Sequence, residues 1–201
     1  MIFELSRKGY RIEKLEKSAR GVVALLPIFD YLRTLPGMSL CTDLDAQISY
    51  VDQEDLDLYV AHNLDSIFDV PAEGQGVIAI AGVKNHRSYS YEPRPYVFNE
   101  PGSFGMKHVA RAAELCCLAV MPNFRGKGLC RSLTLHRLDK MPDNRTAVIE
   151  LRPSADSLNQ LSREPEAHAS TTSVQRIAQR LGFKYEGRAL ADNSMVLVAP
   201  F

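Results

Sequence analysis

The sequence lacks tryptophan, has only four cysteines in 201 residues, and contains no Cys-x-x-Cys pair. Without paired cysteines, a zinc or dithiol redox motif is not expected, so we predict reduced thiols and no metal site. No apolar run approaches the roughly 20 residues that a membrane-spanning helix needs. The N-terminus also lacks the pattern of a signal peptide. These absences favour a cytoplasmic protein that has no membrane partner.

Lysine and arginine are absent from Leu35 to Val83, where aspartate and glutamate accumulate. The stretch from Lys107 to Arg152 is basic, and the whole chain balances at 24 basic and 24 acidic residues. An acidic stretch can attract a cationic acceptor, and a basic one suits a ligand with several phosphates. A solvated acidic helix face explains the first stretch equally well. With 45% apolar residues, the composition predicts one globular domain over residues 1–201, and we expect no nucleic-acid partner.

One stretch, residues 114–131, combines the elements of an anion-binding site. An apolar run from Leu115 to Met121 predicts a buried strand, a Pro-Asn pair ends it, and a turn with two glycines follows. Leucines at helical spacing then predict a helix. Because the first amides of a helix lack internal partners, and because Gly126 and Gly128 have no Cβ, a phosphate can approach this backbone closely.

Two common phosphate motifs do not fit this turn. A Walker loop needs Ser or Thr after its lysine, and a dinucleotide fingerprint needs glycine where this sequence has Arg131. The segments Leu118-Ala-Val-Met-Pro122 and Arg125-Gly-Lys-Gly-Leu-Cys130 instead resemble motif A of the GCN5-related N-acetyltransferase (GNAT) superfamily. Cys130 stands where that motif has Gly or Ala, and a small cysteine is expected to preserve binding.

A second motif strengthens this resemblance. The segment Ser173–Phe183, a predicted helix that ends in Leu-Gly-Phe, is similar to GNAT motif B. The resemblance covers about residues 108–198, whereas residues 1–75 match only in rough element order. It implies an α/β (α+β) fold with a mixed, mostly antiparallel central sheet, flanking helices and a splayed central strand pair.

The periodicity of the chain predicts most of its elements. A first strand or strand pair is expected within residues 2–17, and a helix interrupted at Pro27 over residues 19–34. Asp52 is predicted to cap a second helix whose apolar positions run from Leu56 to Leu64. Later strands are predicted at residues 77–83, 108–120 (as one strand or two) and 147–152, followed by a helix at 173–181 and a closing strand pair at 183–187 and 195–198. The aromatic segment 84–107 reads as a functional loop or as an edge-strand extension that packs its rings on the core.

The resemblance implies acetyl-CoA as co-substrate. Strand backbone groups at three residues would pair with the pantetheine arm, and the amides of the turn would take the pyrophosphate. Thr171 stands where the family often has an asparagine that contacts the cofactor. The expected cofactor-binding residues are Leu118, Ala119, Val120, Arg125, Gly126, Lys127, Gly128, Leu129, Cys130, Arg131 and Thr171.

Two carboxylates match positions where branches of the family carry a catalytic base. Glu114 lies six residues before Val120, and Glu150 lies in the next predicted strand. Charged residues in apolar strands are costly to bury, although a water-facing Glu114 or a Glu150 ion pair with a nearby arginine would also account for them. The usual tyrosine acid is replaced by Ala178. Tyr185 is therefore the candidate acid, with Tyr91 and Ser173 as alternatives, or the thiolate leaves without help.

The resemblance implies an N-acyltransferase that moves an acetyl group from acetyl-CoA to a primary amine by direct attack in a ternary complex. The acceptor is an amine on a small molecule or a protein, and a homodimer is left open. Two alternatives remain at this stage. One is a CoA-binding regulatory module with weak catalysis, and the other is an acyltransferase with a longer acyl donor, similar to acyl-homoserine-lactone synthases.

Overall fold

The computed structural model describes residues 9–33, 44–63, 76–93, 105–151, 173–190 and 194–199. The strands are β1 Tyr10–Lys14, β2 Leu56–Asn63, β3 Val77–Asn85, β4 Ser88–Glu92, β5 Lys107–Ala110, β6 Ala112–Val120, β7 Thr146–Leu151, β8 Lys184–Ala189 and β9 Met195–Val198. The helices are α1 Ala19–Arg33, α2 Leu44–Val51, α3 Leu129–Lys140 and α4 Ser173–Arg180, with a 3-10 turn at Pro122–Phe124. Within these residues, no helix is both long and apolar enough to cross a membrane.

The chain divides into two compact units, each built from two segments. The first unit contains residues 1–84 and 117–140, and the second contains residues 85–116 and 141–201. Strand β6 contributes to both, because the boundary falls between Cys116 and Cys117.

In the first unit, strand β2 pairs antiparallel with β1 and with β3, and β6 is the next neighbour of β3. The core of this unit is apolar side chains from α1, the strands and α3. Among those that are almost fully buried are Leu25, Phe29, Leu56, Ile80 and Leu133. This core fixes the start of α3 against the sheet, which positions the glycine turn before it.

In the second unit, the strand order is β6-β7-β9-β8-β4-β5. Strands β6 and β7 pair in parallel over only three residues of each, Ala112–Glu114 with Thr146–Val148, whereas β7 continues antiparallel to β9 as far as Leu151. The other pairs, β9–β8, β8–β4 and β4–β5, are antiparallel. The mixed, mostly antiparallel sheet with a short, splayed parallel pair confirms the predicted fold class.

The predicted helix after Asp52 is wrong. Residues 56–63 form β2, and the helix of this region, α2, precedes Asp52. Leu56, Leu58 and Val60 alternate at the strand period, and all three side chains are buried. Non-local pairing therefore decides this segment, because several consecutive apolar residues fit a helix as well as a strand.

Two further expectations change with the structure. Pro27 lies inside one continuous helix, α1, and does not interrupt it. The segment predicted as a loop or an edge strand contains β4, whose Tyr89 and Tyr91 are buried in the core of the second unit. Strand β4 lies between β8 and β5, so it is not an edge strand, and residues 94–104 of the segment lie outside the described residues. The segment 108–120 holds two strands, which are separated at Arg111 with φ of 52°.

Candidate active site

The turn after β6 places two glycines in the left-handed region of backbone space. Gly126 has φ of 76° and Gly128 has φ of 81°, a conformation that strains other residues. A Cβ atom added at either position would meet no described atom within 4 Å, so the space in front of the turn is open. Helix α3 begins at Leu129, and Ser132 N donates to Gly128 O at 3.0 Å. The amides of residues 129–131 therefore precede the helical hydrogen bonds and are available to an anion.

Cationic side chains surround this turn. Arg125, Lys127 and Arg131 are exposed, and the first turn of α3 contains no acidic residue. Arg125 Nε donates to Val120 O at 3.2 Å, and its guanidinium lies 5.6 Å from the ring centre of Tyr31, whose hydroxyl it also hydrogen-bonds. These charges, together with the helix dipole, favour a ligand with several phosphates.

Strand β6 carries a strained residue just before the turn. Cys117 has φ of 57°, which is rare for a residue with a side chain, and its thiol contacts the hydroxyl of Tyr50. Leu118 and Ala119 are half-buried and Val120 is buried. Backbone strain of this kind persists where the surrounding structure holds it and is frequent at binding sites.

Cys130 occupies the second position of α3 and is half-buried. Burial raises the pKa of its thiol, and this effect outweighs the nearby Arg137 cation. The side chain is therefore a neutral thiol near pH 7, and its contribution is packing behind the turn.

In the second unit, Glu114 is hydrogen-bonded to a histidine. Nε2 of His86 lies 2.8 Å from Oε2 of Glu114, and the two side chains are 24% and 18% exposed. The backbone of His86 is fixed as well, because its N–H donates to Ala112 O at 2.9 Å and its carbonyl accepts from Arg145 Nη1 at 3.3 Å. Glu114 is thus a partly buried, partnered carboxylate and not a freely solvated one.

Glu150 also has a partner near the start of β4. The hydroxyl of Tyr89 donates to the Glu150 carboxylate, and Tyr89 is only 7% exposed. The Tyr89 ring meets the His86 ring edge to face, with centres 5.5 Å apart. A chain of contacts therefore links the two candidate bases, from Glu114 to His86, from His86 to Tyr89, and from Tyr89 to Glu150. Of the two arginines considered as ion-pair partners of Glu150, Arg145 donates instead to the backbone carbonyls of His86 and Ala112, and Arg152 lies outside the described residues.

The candidate acids have different environments. Tyr185 is half-buried in β8, opposite Leu197 of β9. Tyr91 is buried, and its hydroxyl donates to Glu186 at 3.4 Å. Burial raises the pKa of Tyr91, so its hydroxyl keeps its proton at neutral pH.

Solved structures share the fold of this chain, whereas no family model and no curated protein sequence matches it. An acetyltransferase of the GNAT family from Streptococcus agalactiae superposes with a TM-score of 0.55 at 12% identity, over 96% of each chain. The NatC complex bound to Gag peptide and CoA gives 0.53 at 14% identity, over 96% of this chain and 98% of that one. A spermidine N-acetyltransferase chimera from Vibrio cholerae gives 0.52 at 13% identity, over 94% of this chain and 93% of that one.

The chain has the GNAT fold. The glycine turn and the amides that follow it fit a CoA pyrophosphate. The space in front of the two glycines is open, the neighbouring side chains are cationic, and the first turn of α3 has no acidic residue. The residues that the resemblance assigns to this role, from Arg125 to Arg131, lie at this turn and at the start of α3, and residues 118–120 end strand β6. Thr171 lies outside the described residues. No group of three or more metal-ligating side chains occurs in the described part of the GNAT-like chain.

Sequence reasoning missed His86 and Tyr89 as site residues. Both lie in segment 84–107, for which the sequence predicts a functional loop or an edge-strand extension, and neither belongs to motif A or motif B. A further histidine, His136, lies on α3. It is partly buried, with its ring 5.4 Å from that of Tyr59. His108 is exposed on β5.

Proposed function

We propose that this protein is an acyl-CoA-dependent N-acyltransferase that moves an acetyl group from acetyl-CoA to a primary amine. The observation that carries the proposal is the turn at Gly126 and Gly128, which opens directly onto the first amides of α3. This feature supplies an anion site without a Walker or dinucleotide motif. The GNAT fold, shared with enzymes whose structures hold CoA, supports the same donor.

Acetyl-CoA supplies an activated acyl group as a thioester, and the protein supplies position and proton transfer. The amides and cations of the turn bind the phosphates, which holds the donor in one orientation. An amine is protonated at neutral pH, so attack requires a proton acceptor. The partly buried carboxylates of Glu114 and Glu150 are proposed to take part in this proton transfer, either directly or through a neighbouring side chain. Tyr185 or Tyr91 is the proposed acid for the departing thiolate, whose low basicity makes this step the least demanding.

The acceptor is proposed to be an amine of a polyamine or of a peptide. One structural neighbour is a spermidine N-acetyltransferase and another holds a Gag peptide, so the fold accommodates both classes. The acidic residues between Leu35 and Val83 favour a cationic acceptor.

A thiol-release assay tests the proposal. Acetyl-CoA is incubated with the full chain and with spermidine, a peptide bearing a free α-amine, or a peptide bearing one lysine amine. Amine-dependent release of CoA thiol, with mass spectrometry showing the acetylated amine, is the expected result. CoA binding without release for any of these amines would contradict the enzyme proposal. Faster release from a longer acyl-CoA would revise the donor.

One observation favours the regulatory alternative, a CoA-binding module with weak catalysis. Ala178 stands where related enzymes have a tyrosine acid, and it is fully buried in α4. Replacing it with tyrosine would overfill the core. Under this alternative, acetyl-CoA would bind at the turn and no thiol would be released.

A further inference from the structure

We propose that His86 is the group that takes the proton from the acceptor amine, and that Glu114 is a positioning residue that acts through it. The inference rests on the proposed function and assigns a residue that neither motif contains. It starts from the 2.8 Å contact between His86 Nε2 and Glu114 Oε2.

The first step of the argument is that His86 is held rigidly. Its N–H donates to Ala112 O at 2.9 Å, and its carbonyl accepts from Arg145 Nη1 at 3.3 Å. The same Arg145 nitrogen also donates to Ala112 O at 3.2 Å. Tyr89 closes the other side, with its ring edge-to-face against the imidazole at 5.5 Å. Backbone and ring are therefore fixed before any substrate binds, which is what proton transfer requires.

The second step concerns the two nitrogens of the imidazole. Nε2 faces the Glu114 carboxylate, so in the neutral ring the hydrogen-bonding proton sits on Nε2 and Nδ1 is the acceptor. Among the described residues, Nδ1 of His86 has no hydrogen-bond partner. The side chain is 24% exposed, against 18% for Glu114, so the histidine is the more accessible member of the pair.

The third step is the chemistry. An ammonium proton moves to Nδ1 of His86, and the imidazolium is stabilised by the adjacent Glu114 carboxylate. The freed amine nitrogen then bonds to the acyl carbon while the carbon–sulfur bond breaks. The second proton lost from nitrogen ends on sulfur, so the products are an amide, a free thiol and a protonated histidine.

The test compares His86→Gln with His108→Gln in the full chain. His108 is the matched control, because it lies on β5 of the same unit, is exposed, and contacts Ser90 Oγ at 2.8 Å. Thiol release from acetyl-CoA is measured at pH 7.5 with two peptides, one with a free α-amine and one with a lysine amine. Their ordinary pKa values are about 7.8 and about 10.4.

Loss of the proton acceptor should affect the lysine peptide most. His86→Gln should lower kcat for that peptide by about 100-fold, and lower it much less for the α-amine, a sizeable fraction of which is already unprotonated. The KM for acetyl-CoA should not change. Glu114→Gln should show the same pattern with a smaller loss, and Glu114→Asp should recover part of it. Added imidazole should restore the lysine activity of His86→Ala. His108→Gln should behave as wild type.

If His86 had only a structural role, His86→Gln would lower kcat equally for both peptides, its melting temperature would fall, and added imidazole would have no effect. That result would overturn the inference. A measurement without an acceptor decides the same point. Diethyl pyrocarbonate, which reacts with an accessible neutral imidazole nitrogen, should modify His86 in the free protein, and protection of His86 would overturn the inference. If wild type releases no thiol with either peptide, the proposed function fails for these amines, and the labelling result still decides whether Nδ1 is available.

Discussion

The glycine turn gives the most direct test of the donor site. A ligand that binds only the folded state raises the free energy of unfolding by RT ln(1 + [L]/Kd), which is about 2.7 kcal/mol at 100 times Kd. For a chain of this length, each kcal/mol shifts the melting temperature by about 2–4 °C. Saturating CoA should therefore raise the melting temperature by roughly 5–11 °C.

Two substitutions at Gly128 distinguish the effect of backbone strain from the effect of blocked CoA binding. Its φ of 81° strains any side chain, by about 1–3 kcal/mol, so both Gly128→Ala and Gly128→Glu should melt below wild type without ligand. The space in front of the turn is open, so the alanine methyl should leave most of the CoA shift intact. The glutamate adds bulk and negative charge where phosphates would bind, so its CoA shift should fall to near zero.

Scanning fluorimetry with and without CoA measures all of these shifts. Gly105→Glu is the matched control, since Gly105 is exposed and an added Cβ there meets no described atom within 4 Å. It should keep the full shift. If Gly128→Glu also keeps the full shift, the turn is not the donor site and the reasoning from its open amides is refuted.

Three further predictions address packing, pH and the acceptor. Gly187→Ala should lower the free energy of unfolding, measured in urea, by about 1–3 kcal/mol or more, because the added Cβ would lie 2.2 Å from a backbone oxygen of β4. The control Gly105→Ala should change that free energy by less than about 0.5 kcal/mol. Burial lowers the pKa of His62 and His136 below the ordinary 6.5. The unfolded chain therefore binds more protons than the folded one, and the free energy of unfolding should fall as pH drops through about 6.5. Equal free energies of unfolding at pH 7.5 and 5.5 would contradict this. Neutralising the three exposed carboxylates of residues 52–55 should lower kcat/KM for spermidine more than for a neutral amine, and more at low salt than at high salt; equal effects on both amines would rule out an electrostatic role.

The glycine turn was predictable because its determinants are local. A strand, two glycines and a helix start lie within residues 114–131, and each follows from short-range backbone rules. The structure places Gly126 and Gly128 at positive φ and starts α3 at Leu129, one residue after the second glycine. No long-range contact is needed to infer such an arrangement.

Strand β2 and the partner of Glu114 were not predictable in this way, because each depends on pairing between distant segments. The apolar spacing of the segment Leu56–Val60 fits a helix as well as a strand, and the pairing of β2 with β1 and β3 selects the strand. His86 lies 28 residues before Glu114 in sequence, and their contact exists because His86 N bonds to the first residue of β6. Composition and motif spacing carry no signal for that register.

The partners of both candidate bases come from one short segment, residues 86–89, which has consequences for how the site is built. His86 precedes β4 and Tyr89 lies within it, and β4 is held by β5 on one side and by β8 on the other. The environments of Glu114 and Glu150 are therefore fixed by the same strand, so a one-residue shift in its register would turn Tyr89 away from Glu150 and also displace His86 from Glu114. Because the two contacts depend on a single register, they should be gained or lost together. In a double-mutant cycle on the free energy of unfolding, substitutions at His86 and Tyr89 should therefore be non-additive, whereas substitutions at His108 and Tyr89 should be additive.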